Sequence, residues 1–172
     1  METKKPTPVT SWGATLQLRI KILFSRLGIN LRKTCSSNLN FVRSPVLSEL
    51  HLNEKMTQEK CWEIHQIILS IVKPKIVFVF GDGARDFIIS KMKIIEESEP
   101  YSLPSRNKEY IFRSVRGTVQ VDGSSSEHKI CLLSMPHLSR FKIDARGDET
   151  NSAYDARTAI DWMNEEKNRY LS

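Results

Sequence analysis

The run Lys75-Ile76-Val77-Phe78-Val79-Phe80, with Pro74 before it and Gly81 after it, is the feature that most narrows the choice of fold. An unbroken β-branched and aromatic stretch without polar alternation suits a strand covered on both faces, the situation of strands inside a parallel sheet. Gly81-Asp82-Gly83-Ala84 then turns the chain, and Ala84 to Glu97 carries Phe87, Ile88, Met92 and Ile95 at helical spacing. This predicts a strand-turn-helix unit of the doubly wound type, within a three-layer α/β/α domain built on a mainly parallel sheet.

Other segments fit around that unit. Residues 1–13 mix Pro, Thr and Lys without periodicity and read as a loose arm, leaving 14–172 as one domain. From Thr15, the residues Leu16, Ile20, Leu23, Phe24 and Leu27 recur at helical spacing, and Gly28 stands where a left-handed cap ends a helix. Thr57 is placed to cap a second helix in which Cys61, Trp62, Ile64, Ile67, Ile68, Ile71 and Val72 occupy more than one face, which predicts a largely buried helix ending before Pro74. Glu99 to Arg106, with two prolines, reads as a loop, and Tyr110 to Val121 as a hairpin about Arg116-Gly117. Past a Gly-Ser-Ser-Ser turn, Ile130-Cys131-Leu132-Leu133 predicts a second buried strand, running near 129–134 beside the first. A final helix, about Ser152 to Tyr170, presents Tyr154, Ile160, Trp162, Met163 and Tyr170 for packing.

Composition narrows the setting. At 172 residues and 40% hydrophobic, the chain is the size of one domain with one core. A formal charge of +6 favours anionic partners such as nucleic acid. Cys35, Cys61 and Cys131 are odd in number and widely spaced, so they form neither a disulfide framework nor paired metal knuckles. Lys4 and Lys5 lead into Pro6 and Pro8 with no apolar stretch behind them, and no later run reaches the ~18 residues of a membrane span. The expectation is a cytoplasmic or nuclear protein, not secreted and not held in a membrane.

Open parallel sheets gather ligands beyond the carboxyl ends of their strands. Three segments qualify on that ground: Asn38 in Ser-Asn-Leu-Asn-Phe, the turn Gly81 to Ala84, and His137 in Met-Pro-His-Leu-Ser-Arg-Phe.

The order of features is an amphipathic helix, an Asn-bearing strand end, a helix with Cys61-Trp62, the strand-turn Lys73-Pro74-x-Ile76-Val77-x-x-x-Gly81-x-x-Ala84, then a strand ending in a histidine motif. In that order residues 12–145 resemble the uracil-DNA glycosylase superfamily. The resemblance implies hydrolysis of the N-glycosidic bond of uracil in DNA, a repair reaction that needs no cofactor. It implies Asn38 as the amide that reads the edge of a flipped uracil, since an amide donates and accepts at once. It implies His137 as the catalytic donor to the uracil oxygen that gathers charge as the bond breaks. Ser139 and nearby backbone amides would hold a phosphate, and Leu138, Arg140 or Phe141 would enter the duplex, with Arg140, Lys142 and Arg146 as a basic patch for DNA.

Two positions depart from the family pattern. Its first motif, with the acid or amide that orients water, precedes the first helix, and here only the polar arm stands there. Leu138 occupies the place of the proline that usually follows the histidine. Turnover is therefore expected to be weak or lost; the alternatives are a non-catalytic relative that binds nucleic acid or a protein partner, and a shortened enzyme.

Two other patterns resolve to structure. Gly81-Asp82-Gly83-Ala84 lacks the Gly-Lys-Ser/Thr of a phosphate loop, having Arg85-Asp86 instead. Cys61 and His65 lie one helical turn apart but have no second pair to complete a metal site, and three cysteines cannot ligate an iron-sulfur cluster through four thiolates.

Overall fold

The computed structural model describes residues 12–41, 54–105, 108–121, 126–143 and 155–172. Residues 1–11 of the arm, Arg146 and Tyr154 therefore lie outside the described residues, while Trp12 and Gly13, expected in the arm, open the first helix.

Helix α1 (Trp12–Arg26) begins three residues before its periodic stretch and ends as its sequence predicts. The Ile29 amide donates to the Phe24 carbonyl at 2.8 Å and the Gly28 amide to the Ser25 carbonyl at 3.1 Å, with Gly28 at φ 66°. Those two bonds satisfy carbonyls that a helix end otherwise leaves bare. A short 3-10 turn (Leu31–Lys33), capped by the Asn30 side chain, leads into a stretch without regular secondary structure that reaches Phe41.

Helix α2 (Glu54–Val72) starts ahead of Thr57, which sits inside it and is buried rather than capping it. Cys61 and Trp62 pack inward, but Ile64, Ile67 and Ile71 are exposed, Ile71 to 75%. The expectation of a largely buried helix is thus corrected. Only one of its two apolar faces meets the sheet, where Leu69 packs with Val119, Val121 and Ile130.

Strand β1 (Ile76–Phe80) follows, then Gly81 alone turns the chain into α3 (Asp82–Ser90). The helix stops where the Ser90 hydroxyl bonds the Phe87 carbonyl at 2.6 Å. Residues beyond it do not extend the helix: Met92–Glu97 form β2, an edge strand antiparallel to β4. The helical reading to Glu97 fails because cross-strand partners, invisible to local periodicity, decide the conformation. Among those partners, Arg116 pairs with Glu96 at 2.9 Å and Arg113 pairs with Glu97.

β3 (Tyr101–Ser105) also pairs with β4, so β2 and β3 lie end to end along one side of that strand. Pro104 is tolerated there because an edge strand has one side with no ladder bond to donate. β4 (Lys108–Gln120) is one continuous strand, not a hairpin. Gly117 lies mid-strand where a Cβ would come within 2.5 Å of the Lys93 carbonyl oxygen, opposite a register shift between Ile94 and Glu96. Glycine there admits the close approach of a bulged neighbour rather than making a turn.

β5 (Glu127–Met135) pairs antiparallel with β4 and parallel with β1, giving the order β1-β5-β4-β2. The sheet is therefore mixed. Parallel pairing among the described residues is confined to β1 and β5, which corrects the expectation of a mainly parallel sheet. The short connections from β3 to β4 and from β4 to β5 allow reversal of direction at each, whereas a parallel neighbour needs a crossover.

Alternation along β5 divides the core. Cys131, Leu133 and Met135 face a cluster with Leu23, Phe24 and Leu27 of α1 and Ala159, Ile160 and Met163 of α4 (Ala156–Leu171). Leu132 faces the other way, with Val79 and Val115, toward Ala84, Ile88 and Ile89 of α3. Phe112 and Phe141 are wholly buried and meet edge to face at 5.4 Å.

Candidate functional site

The parallel register places Phe80 beside Met135, so β1 and β5 end together. Gly81 extends the ladder by one bond, its amide donating to the Met135 carbonyl at 2.8 Å, and then adopts φ 96°, ψ 150°. That conformation is almost confined to glycine and redirects the chain into α3 within one residue. A Cβ placed on Gly81 would stand 3.6 Å from the His137 Cβ and 3.8 Å from its Cδ2. The turn after β1 and the histidine after β5 therefore stand side by side.

His137 is exposed and opens a tight turn, its carbonyl accepting from the Arg140 and Phe141 amides at 2.9 and 3.1 Å. Its Nδ1 lies 3.2 Å from the Ser139 amide and 2.7 Å from the Ser139 hydroxyl. A backbone amide can only donate, so Nδ1 must accept and the ring proton sits on Nε2. Among the described residues Nε2 has no partner. The imidazole is thus arranged to donate outward.

The turn is anchored from three directions. Arg19 of α1 donates to the carbonyls of Leu138 and Ser139 at 2.5 and 3.2 Å, and Arg26 to that of Ile143 at 3.0 Å. The Tyr110 hydroxyl donates to the Arg140 carbonyl at 3.1 Å. Leu138, Phe141 and Ile143 are each wholly buried in the α1–α4 core. Leu138 and Phe141 therefore cannot enter a duplex, which corrects that expectation. Their apolar side chains are the pins that fix the turn, and the solvent side is left to Ser139, Arg140 and Lys142.

Asp82 is exposed at the start of α3, where its carboxylate accepts from Arg85 at 2.7 Å; Arg85 also holds Asp86 at 2.8 Å. Gly83 and Ala84 belong to the first turn of α3, not to a separate loop.

Asn38 is exposed in the irregular stretch before Phe41. The bonds that fix this stretch run to α2. His65 reaches the Ser37 hydroxyl at 3.4 Å through Nδ1 and the Leu39 carbonyl at 3.2 Å through Nε2, and its ring stacks on Phe41 at 5.0 Å. No hydrogen bond among the described residues joins Asn38 to His137 or Gly81. Sequence reasoning weighed His65 only as half of a metal pair, and its role is to bind this stretch to α2. Among the described residues, no group of three or more His, Cys, Asp or Glu side chains could hold a metal ion, and no helix is long and apolar enough to cross a membrane.

Comparison with protein-family models, curated proteins and solved structures finds no match.

Proposed function

We propose that this chain is a uracil-DNA glycosylase-like domain that binds DNA at the carboxyl ends of β1 and β5, with hydrolysis of uracil's N-glycosidic bond weak or lost. The observation that carries the reading is the His137 ring beside Gly81, its Nδ1 engaged by Ser139 and its Nε2–H turned outward. A fixed neutral donor beside a departing base stabilises the negative charge that develops there, without transferring a proton. Asn38 serves as reader of the base edge, and Ser139, Arg140 and Lys142 meet phosphates on the exposed side of the turn. A three-layer α/β/α arrangement and a place of action in the cytoplasm or nucleus belong to the same proposal.

One observation favours binding over turnover. The carboxylate of Asp82, the acid next to Gly81, is already engaged by Arg85 at 2.7 Å. Single-stranded and duplex oligonucleotides with one uracil, assayed together for base release and for binding, test the proposal. Binding with slow or no release is expected, and Arg140→Ala with Lys142→Ala should weaken binding across all sequences and flatten its salt dependence. Any release present should fall by about a hundredfold or more in His137→Ala. Absence of both binding and release would overturn the proposal.

A further inference from the structure

The donors around His137 form a chain that starts on another element. Arg19 projects from α1, and its Nη1 donates to the carbonyl oxygen of Leu138 at 2.5 Å. The same peptide unit carries the Ser139 amide, which donates to Nδ1 of His137 at 3.2 Å. A cation on a carbonyl oxygen draws electron density through the amide and makes its N–H a stronger donor, the cooperative effect of hydrogen-bond chains.

We propose that Arg19 is the positioning residue of this site: through the Leu138–Ser139 peptide it fixes His137 as the Nε2–H tautomer. Arg19 does not touch the base or the sugar. It sets which ring nitrogen is the donor, and hence whether the imidazole has a proton to offer beside Gly81. This rests on the reading of His137 as a donor through Nε2, but concerns the free protein and is tested without DNA.

Arg26 provides the matched control. It also extends from α1 and also donates to a carbonyl of the same turn region, Ile143, at 3.0 Å, and among the described residues no hydrogen bond carries that contact on to the imidazole. A general loosening of the turn would follow from losing either arginine. A shift of tautomer through the peptide would follow only from losing Arg19.

The test is long-range proton–nitrogen correlation of the full chain labelled with nitrogen-15 histidine, with His137→Ala assigning the resonances. The native ring should show protonated Nε2 and bare Nδ1. In Arg19→Met the share of Nδ1–H should rise by about 1.3- to 4-fold, the scale expected from losing cooperative strengthening of one bond. Arg19→Lys, which restores a cation, should recover part of the native ratio. Arg26→Met should leave it unchanged. Should Arg19→Met not fold, Arg19→Gln keeps a donor without the charge and carries the same comparison. An unchanged ratio on loss of the Arg19 charge, or an equal shift in Arg26→Met, overturns the inference. Failure of every variant and of the native chain to bind DNA, with the tautomer behaving as described, would overturn the proposed function and leave the role of Arg19 standing.

Discussion

Gly81 and His137 face each other across the ends of the β1–β5 pair, the position of a Gly81 Cβ lying 3.6 Å from the Cβ of His137 while the Gly81 amide holds the Met135 carbonyl. That spacing is ordinary van der Waals contact, so a methyl group would fit. Its backbone would not, because φ 96° is rarely adopted by residues with a Cβ. Gly81→Ala is expected to destabilise the chain by about 1–3 kcal/mol through conformation alone. Gly83→Ala, inside α3 with open space around it, should be neutral or stabilise by about 0.4–1 kcal/mol. Urea midpoints of the two variants, measured side by side, check this; equal effects would show that the Gly81 conformation is not required.

Phe141 and Ile71 make an opposite pair. Phe141 is wholly buried against Tyr110 and Phe112, and Phe141→Ala should cost about 3–5 kcal/mol and release the turn that begins at His137. Ile71, three quarters exposed on α2, should accept Lys within about 0.5 kcal/mol. Thermal unfolding of both variants distinguishes a pin of the core from a bystander.

Asp155 caps α4, and hydrogen bonds from the Arg157 side chain, then from its backbone amide, hold the carboxyl at about 2, below its usual 3.8. The folded value is the lower one, so the contribution to stability is complete above the unfolded value near 4 and is lost as pH falls through about 2. Asp155→Asn keeps a capping oxygen but does not titrate, and should flatten stability across that window relative to the native chain. Asp155→Ala should cost about 1 kcal/mol at neutral pH from the lost cap. Guanidinium unfolding at a series of pH values reads both effects, and a native slope in Asp155→Asn would remove Asp155 from the account.

The thiols should divide sharply. Burial pushes the Cys131 thiol up, with Ser114 and Arg116 opposing it, and Cys61 is also buried, whereas Cys35 is exposed. A thiol reagent should label the exposed Cys35 first, leaving Cys61 and Cys131 to react only as the fold opens. Early labelling of Cys131 on mass analysis would mean that β5 is not the protected centre described above.

Much of the site was legible because strand ends are. The unbroken run at 76–80 and the shorter one at 130–133 identified β1 and β5, and a parallel pair must bring its trailing residues together, so Gly81 and His137 followed. What escaped was everything set by partners distant in sequence. Met92 and Ile95 satisfy helical spacing as well as they satisfy a strand, and only the ladder with β4 decides. Arg116-Gly117 reads as a turn until the Lys93 carbonyl beside Gly117 shows why a side chain is missing there. Phe141, flanked by Arg140 and Lys142, looked like an exposed wedge, yet the alternation of its turn sends the ring inward and the charges out. Arg19 carried no signal at all, since nothing local distinguishes an arginine that meets a carbonyl of a distant turn from one that meets water.

The place of β1 in the strand order bears on how the molecule assembles. β2 through β5 follow one another closely along the chain, with β2, β3 and β5 all pairing with β4, so they can zip together locally, while Ile76 must wait for Cys131 to arrive across the whole of that meander. Contacts of such wide separation form late. A folding intermediate holding the meander would already own His137 and lack the wall that Gly81 provides, so ligand recognition should appear only with the last, slowest kinetic phase, and refolding traced by binding should lag behind refolding traced by secondary structure.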